Sequence, residues 1–209
     1  MPSVRCSIGS TSSSGWQQGL PTLRGGRVVL RELRASDAPS LFARLTTEEV
    51  ARYNSPPPAT VERLERFIAQ AAGRRAAGTC ACFAVALREF DTAIGIFRMR
   101  ETESDFRTAE WDFAIGSPFW GTGVFQEGAE LALEFAFNTV GVERLEARAA
   151  VLNGRGNGAL QKIGAVQECV LRKSLLRNGQ YLDQVLYAVV DIDWRESRRT
   201  PVTSAVRVH

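Results

Sequence analysis

The sequence predicts an α/β fold in which a mixed sheet carries helices on both faces. Three observations carry that prediction. Strand patterns come first in a run and later alternate with helical ones. A glycine-rich turn opens an almost wholly apolar helix in "FWGTGVFQEGAELALEFAF" (119–137). The chain has 209 residues, enough for one domain with a full core and little left for a second.

Residues 1–22 are rich in Ser, Gly and Thr without periodicity and read as a flexible tail. "RVVLREL" (27–33) reads as the first strand. Ser36 is the expected N-cap of the helix in "SDAPSLFARLT". "YNSPPPAT" (53–60) must be a loop, because three consecutive prolines fit neither a helix interior nor an inner strand. Thr60 then caps a helix whose stripe is Val61, Leu64, Ile68 and Ala72. Three strand patterns follow at 80–89, 92–100 and 108–116, the first two close enough to form a hairpin.

The glycine turn leads into a helix from about 123 to 139, with Glu127, Glu130, Glu134 and Asn138 as its one wet stripe. "VERLEARAAV" (142–151) is a strand, and "NGRGNGALQKIG" (153–164) is a glycine-rich entry to a short helix ended by Gly164. A second hairpin around "RNGQ" closes the domain, which is expected to span 23–195. The basic stretch 196–209 reads as a solvated tail.

Composition removes several kinds of chemistry. No apolar run approaches the roughly 18 residues of a membrane span, and the N-terminus shows no secretory pattern, so the chain reads as cytoplasmic. Cys6, Cys80, Cys82 and Cys169 match no zinc or redox spacing, and no metal is expected. The only histidine is the last residue, His209, which excludes a histidine triad. A general base must then be a carboxylate, a tyrosine or water. Net charge is +3, too small an excess to make nucleic acid the expected partner.

The chemistry concentrates in two glycine clusters. Gly121 and Gly123 stand at a helix mouth, where bare N–H groups and the helix dipole suit an anion such as phosphate. Gly154, Gly156 and Gly158 follow the very next strand. If strands 108–116 and 142–151 are parallel neighbours, both clusters lie at one sheet edge, where open α/β sheets bind ligands. A plain turn and a plain helix cap at Asn153 are the bland readings. On strand 108–116, Glu110 and Asp112 share one face, and Trp111, Phe113 and Ile115 share the other. Two acids on a central strand point either to a cleft or simply to solvent.

The layout resembles the GCN5-related N-acetyltransferases (GNAT), and within them the ribosomal-protein alanine acetyltransferases. The matching pieces are "VVLRELRASDAPSLF", "IGIFRMR", "AEWDFAIGSPFWGTG" and "RLEARAAVLNGRGNGALQKIGAVQECVLR", together about residues 25–194. The resemblance implies a mostly antiparallel sheet of about seven strands with one splayed parallel pair. It implies acetyl-CoA as co-substrate and a primary amine as acceptor, either a protein N-terminus or a small molecule. Nucleic acid would be met only indirectly, through the ribosome, and the protein would be a monomer or homodimer.

By the same resemblance the pyrophosphate loop falls on Trp120, Gly121, Thr122, Gly123, Val124, Phe125 and Gln126, with Phe125 where Gly or Ala is usual. Phe113, Ala114, Ile115, Asn153, Asn157 and Lys162 are the other expected cofactor contacts. Glu110 is the expected proton acceptor, and Tyr53 and Asp112 the expected acceptor contacts. The family's tyrosine proton donor falls on Leu160, so that donor is absent. The other open readings are a catalytically weak acyl-CoA sensor and a nucleic-acid-associated protein.

Amine type sets how much base the site needs. At pH 7, freeing a protein α-ammonium costs roughly 1.2 kcal/mol, and freeing a lysine about 4.6 kcal/mol. With no histidine within reach, the site suits the easier amine.

Overall fold

A computed structural model of the protein describes residues 15–54, 58–103 and 105–199. Its sheet is built from β1 (Leu23–Arg24), β2 (Val28–Glu32), β3 (Cys80–Leu87), β4 (Ala93–Glu101), β5 (Thr108–Ile115), β6 (Arg144–Ala150), β7 (Val166–Arg177) and β8 (Gln180–Val190). The strand order is β1-β2-β3-β4-β5-β6-β8-β7. All neighbours are antiparallel except β5 and β6. The sheet thus has one strand more than expected, the two-residue β1.

Period-two alternation in β3 assigns the two faces. Ala81, Phe83 and Val85 enter one core; Cys80, Cys82 and Ala84 enter the other. The first core lies under α4 (Val124–Phe135), and the second under α1 (Ala38–Leu45) and α3 (Val61–Ala76). Glu130, Glu134 and Asn138 are exposed along the outer side of α4 and its continuation, as the sequence pattern requires. The thiols of Cys80 and Cys82 are pushed up by burial, which suits small core residues rather than reactive ones.

Three expectations change. Asp37, not Ser36, stands at the N-cap position of α1, and its side chain makes no capping hydrogen bond to that helix. The buried Asp37 carboxylate accepts from the Arg34 N–H at 2.8 Å and from both terminal nitrogens of Arg31, each at 2.8 Å. One side chain therefore ties the helix start to β2. Second, the expected tail 1–22 contains ordered structure: Trp16 is 4% exposed and meets Phe106 and Phe135 edge-on. A lone aromatic in a Ser/Gly stretch carries no period, which is why the sequence pattern missed it; residues 1–14 lie outside the described residues. Third, α6 (Asp191–Arg199) begins inside the expected domain and crosses into the expected basic tail; residues 200–209 lie outside the described ones. Two further short helices are α2 (Glu48–Ala51) and α5 (Gly154–Lys162).

Candidate active site

Parallel pairing between β5 and β6 covers only three residues on each strand, Thr108–Glu110 against Arg144–Glu146. Beyond it β5 stays bound to β4 as far as Ile115, and β6 stays bound to β8 as far as Ala150. The two strands part, and their facing edges carry backbone groups with no ladder partner. Such groups need hydrogen bonds from somewhere. The gap opens into a cleft of about 940 Å³.

The first glycine cluster forms one wall. Gly121 (φ +75°) and Gly123 (φ +86°) hold left-handed backbone that other residues rarely adopt. α4 starts directly behind Gly123, which has no side chain to cap it. Trp120 donates N–H to the Ser117 carbonyl, and the first backbone bond into α4 comes from Glu127. Among the described residues, the amides from Gly121 to Gln126 have no acceptor. Six adjacent free N–H groups at the positive end of a helix form a site for an anion.

The loop is braced from behind. The Arg27 guanidinium donates to the Thr122 carbonyl at 2.9 Å, and the Glu127 carboxylate accepts from the Arg27 N–H at 2.8 Å. Burial works against the charge on Glu127, but the backbone donors of Arg27 and Val28 outweigh it and hold the carboxyl below its usual range. A Cβ on Gly123 would lie 2.6 Å from Arg27 Nη2. Gly121, by contrast, has open space around it.

The second cluster forms the neighbouring wall. Asn153 caps α5 by accepting from the Gly156 N–H at 2.9 Å, and it also lines the cleft. Asn157 does not line it. Its amide binds the carbonyls of Ala150 and Asn153, tying α5 to the end of β6. Lys162 lines the cleft, and Arg155 joins it with its guanidinium 4.5 Å over the Trp120 ring. The wall that carries the free amides is thus also cationic.

Of the other expected contacts, Phe113, Ala114, Ile115, Trp120, Gly121, Gly123, Phe125, Gln126 and Tyr53 line the cleft. Phe125 folds back onto Phe113, with ring centroids 4.6 Å apart, and stacks on buried Trp111. An aromatic residue at that position is accommodated by packing among the Phe97, Trp111 and Phe113 rings. Val124 points into the core, and the Thr122 hydroxyl donates to the Phe119 carbonyl at 2.7 Å; neither lines the cleft. Leu160 is buried core.

Glu110 and Asp112 do share a strand face, but both are engaged by arginines of β4. Glu110 meets Arg100 at 3.0 Å and Asp112 meets Arg98 at 2.8 Å. Neither lines the cleft. Glu110 sits three residues before Phe113, about 10 Å back along the strand at 3.3 Å per residue, in the part still paired to β6.

The residues that the sequence patterns missed are Glu49, Arg52 and Asn54, from α2 and the turn after it, and Arg155. For Arg155 a signal existed: a basic residue inside a glycine-rich helix mouth. Glu49 carried none.

Comparison with known proteins gives the family. The profile of the acetyltransferase (GNAT) domain matches residues 27–166. The uncharacterised N-acetyltransferase YoaA of Bacillus subtilis is 26% identical over 175 residues, covering 81% of this chain and 97% of YoaA. The ribosomal protein uS5-alanine N-acetyltransferase of Escherichia coli is 28% identical over 93 residues, 44% of this chain and 48% of that protein. The solved structure of Mycobacterium smegmatis RimJ in complex with CoA-disulfide superposes with a TM-score of 0.73 at 20% identity, over 83% of this chain and 87% of that one. With the profile covering most of the chain on a fold of this shape, the protein belongs to the GNAT acetyltransferase family and is an N-acetyltransferase.

Proposed function

We propose that this enzyme transfers an acetyl group from acetyl-CoA to a primary amine, and that the acceptor is a protein N-terminal α-amine. One observation carries the co-substrate: six adjacent amides, Gly121–Gln126, are free, and four of those residues (Gly121, Gly123, Phe125 and Gln126) line a cleft whose wall adds Arg155 and Lys162. A pyrophosphate is the group that so many convergent donors suit. Acetyl-CoA, when bound, supplies a thioester that an amine can attack directly.

The chain's own residues supply the rest. The free edge of β5 offers N–H groups toward the gap, where a developing oxyanion would sit; one such donor is typically worth about 3–4 kcal/mol. Phe113 and Phe125 present an apolar surface that excludes water from one side. A leucine side chain has no proton to give, so at Leu160 the thiolate finds no donor and the proton comes from elsewhere; Tyr53 is the tyrosine that lines the cleft. The α-amine reading rests on proton cost. No histidine lines the cleft among the described residues, and an α-ammonium gives up its proton for far less than a lysine does. The Escherichia coli relative is named for alanine acetylation of ribosomal protein uS5, which supports the same acceptor class.

The test is acetyl-CoA titration by calorimetry on a matched pair, Gly121→Asn and Gly121→Asp. Both residues tolerate left-handed backbone, and only one adds negative charge to the anion site. Binding should be at least roughly tenfold weaker for the aspartate. Equal affinities would contradict a pyrophosphate at these amides.

A further inference from the structure

We infer that Glu49 recognises the positive charge of the acceptor, making this cleft selective for cationic amines. The inference rests on the acetyltransferase reading of the cleft. α4 covers one face of β5, whereas Val50 of α2 packs in the core on the opposite face. The gap between β5 and β6 therefore joins two sides. One side holds the free amides with Arg155 and Lys162, which suit the anionic co-substrate. The other is lined by Glu49, Arg52, Tyr53 and Asn54.

Among the described lining residues Glu49 is the one carboxylate. It makes no hydrogen bond or ion pair with any described residue, whereas Glu110 and Asp112 are both held by arginines. Arg52, its neighbour on the same segment, has its guanidinium over the Tyr53 ring at 5.5 Å. The segment that carries Glu49 is also fixed in place. The Arg177 guanidinium, from the far end of β7, donates to the backbone carbonyls of Ala51 and Arg52. Those carbonyls end α2 and would otherwise lack partners. Arg177 is thus a positioning residue: it joins the β7 end to α2 and sets where Glu49 stands.

An acceptor amine is cationic when it arrives. A free carboxylate on its side of the gap attracts it, and repels anionic acceptors. The anionic co-substrate is held on the other side by its own cationic wall, so the two ligands do not compete for one charge.

The experiment uses the full chain, saturating acetyl-CoA, and a mixture of synthetic peptides with free N-termini and blocked lysines, plus spermidine. Acetylation is read by mass spectrometry, and KM and kcat are then measured on the best acceptor. Glu49→Gln should raise KM roughly tenfold with kcat within about twofold, the pattern of lost uniform binding. The difference should shrink at about 1 M salt, where the screening length falls to about 3 Å. Acetyl-CoA affinity should match the parent. Arg177→Ala should move KM in the same direction, with Arg177→Lys restoring part of it.

Unchanged KM in Glu49→Gln overturns the inference, as does a loss confined to kcat, which would make Glu49 a proton acceptor instead. A parent that binds acetyl-CoA yet acetylates no amine in the mixture also overturns it. A parent that fails to bind acetyl-CoA at all removes the underlying reading rather than this residue.

Discussion

The Trp120 indole N–H donates to the Ile115 carbonyl at 2.8 Å, joining the last residue of β5 to the first residue of the glycine loop. This bond sets the distance between two parts of the candidate site: the free strand edge of β5 and the free amides of the glycine loop, proposed above to meet the thioester and the phosphates. Arg155 rests on the same indole ring. Trp120 is therefore a hinge point among β5, the loop and α5.

Trp120→Phe keeps a ring beneath Arg155 and removes the N–H. It should cost about 1 kcal/mol of stability, the usual net worth of a hydrogen bond. It should also weaken acetyl-CoA several-fold, because the loop loses its tie to β5. Thermal unfolding and calorimetric titration read the two effects separately. A variant with parental affinity would show that the bond is structural only.

Glu110→Gln separates the expectation from sequence from the position in the structure. A general base is worth about 10²-fold or more. With Glu110 held by Arg100 and outside the cleft lining, the variant should turn over within about fivefold of the parent. Steady-state rates on a confirmed acceptor, with acetyl-CoA saturating, decide it. A loss on the scale of a general base would make Glu110 the proton acceptor after all, reached through a chain of waters.

Glu127 links the loop to the pH dependence of stability. Its folded pKa lies below the unfolded value near 4.3. Such a group stabilises the fold above the unfolded pKa, and that contribution is lost as pH falls through the folded pKa. Glu127→Gln should therefore lower the melting temperature at pH 7, and the difference should vanish well below pH 4.3. A gap between variant and parent that stays constant into acid would mean that charge is not what Glu127 contributes.

Much of this architecture was legible in the sequence because it obeys a period. The strands alternate as β3 does, α3 and α4 carry stripes, and both glycine clusters precede helices. The legible part of the site was likewise the part with a local signature: the loop from Trp120 to Gln126 and the Asn153 cap. The rest depends on contacts between distant residues. α2 has four residues, too few to show any period, so Glu49 had no signal. Phe125 departs from the family's Gly or Ala, and only the packing of Phe113 and Trp111 explains how it fits. Glu110 shows the reverse case. Its strand face was correct, but nothing local revealed that Arg100 lies opposite or that the strands part beyond it.

In the function proposed above, the amides of Gly121–Gln126 bind the pyrophosphate of acetyl-CoA where β5 and β6 separate. Hydrogen exchange of the full chain with and without acetyl-CoA, read at single-residue resolution, tests it most directly. Exchange should slow at residues 121–126 and along the free edge of β5 up to Ile115, with little change in α3. Unaltered exchange at residues 121–126 under saturating acetyl-CoA would contradict it.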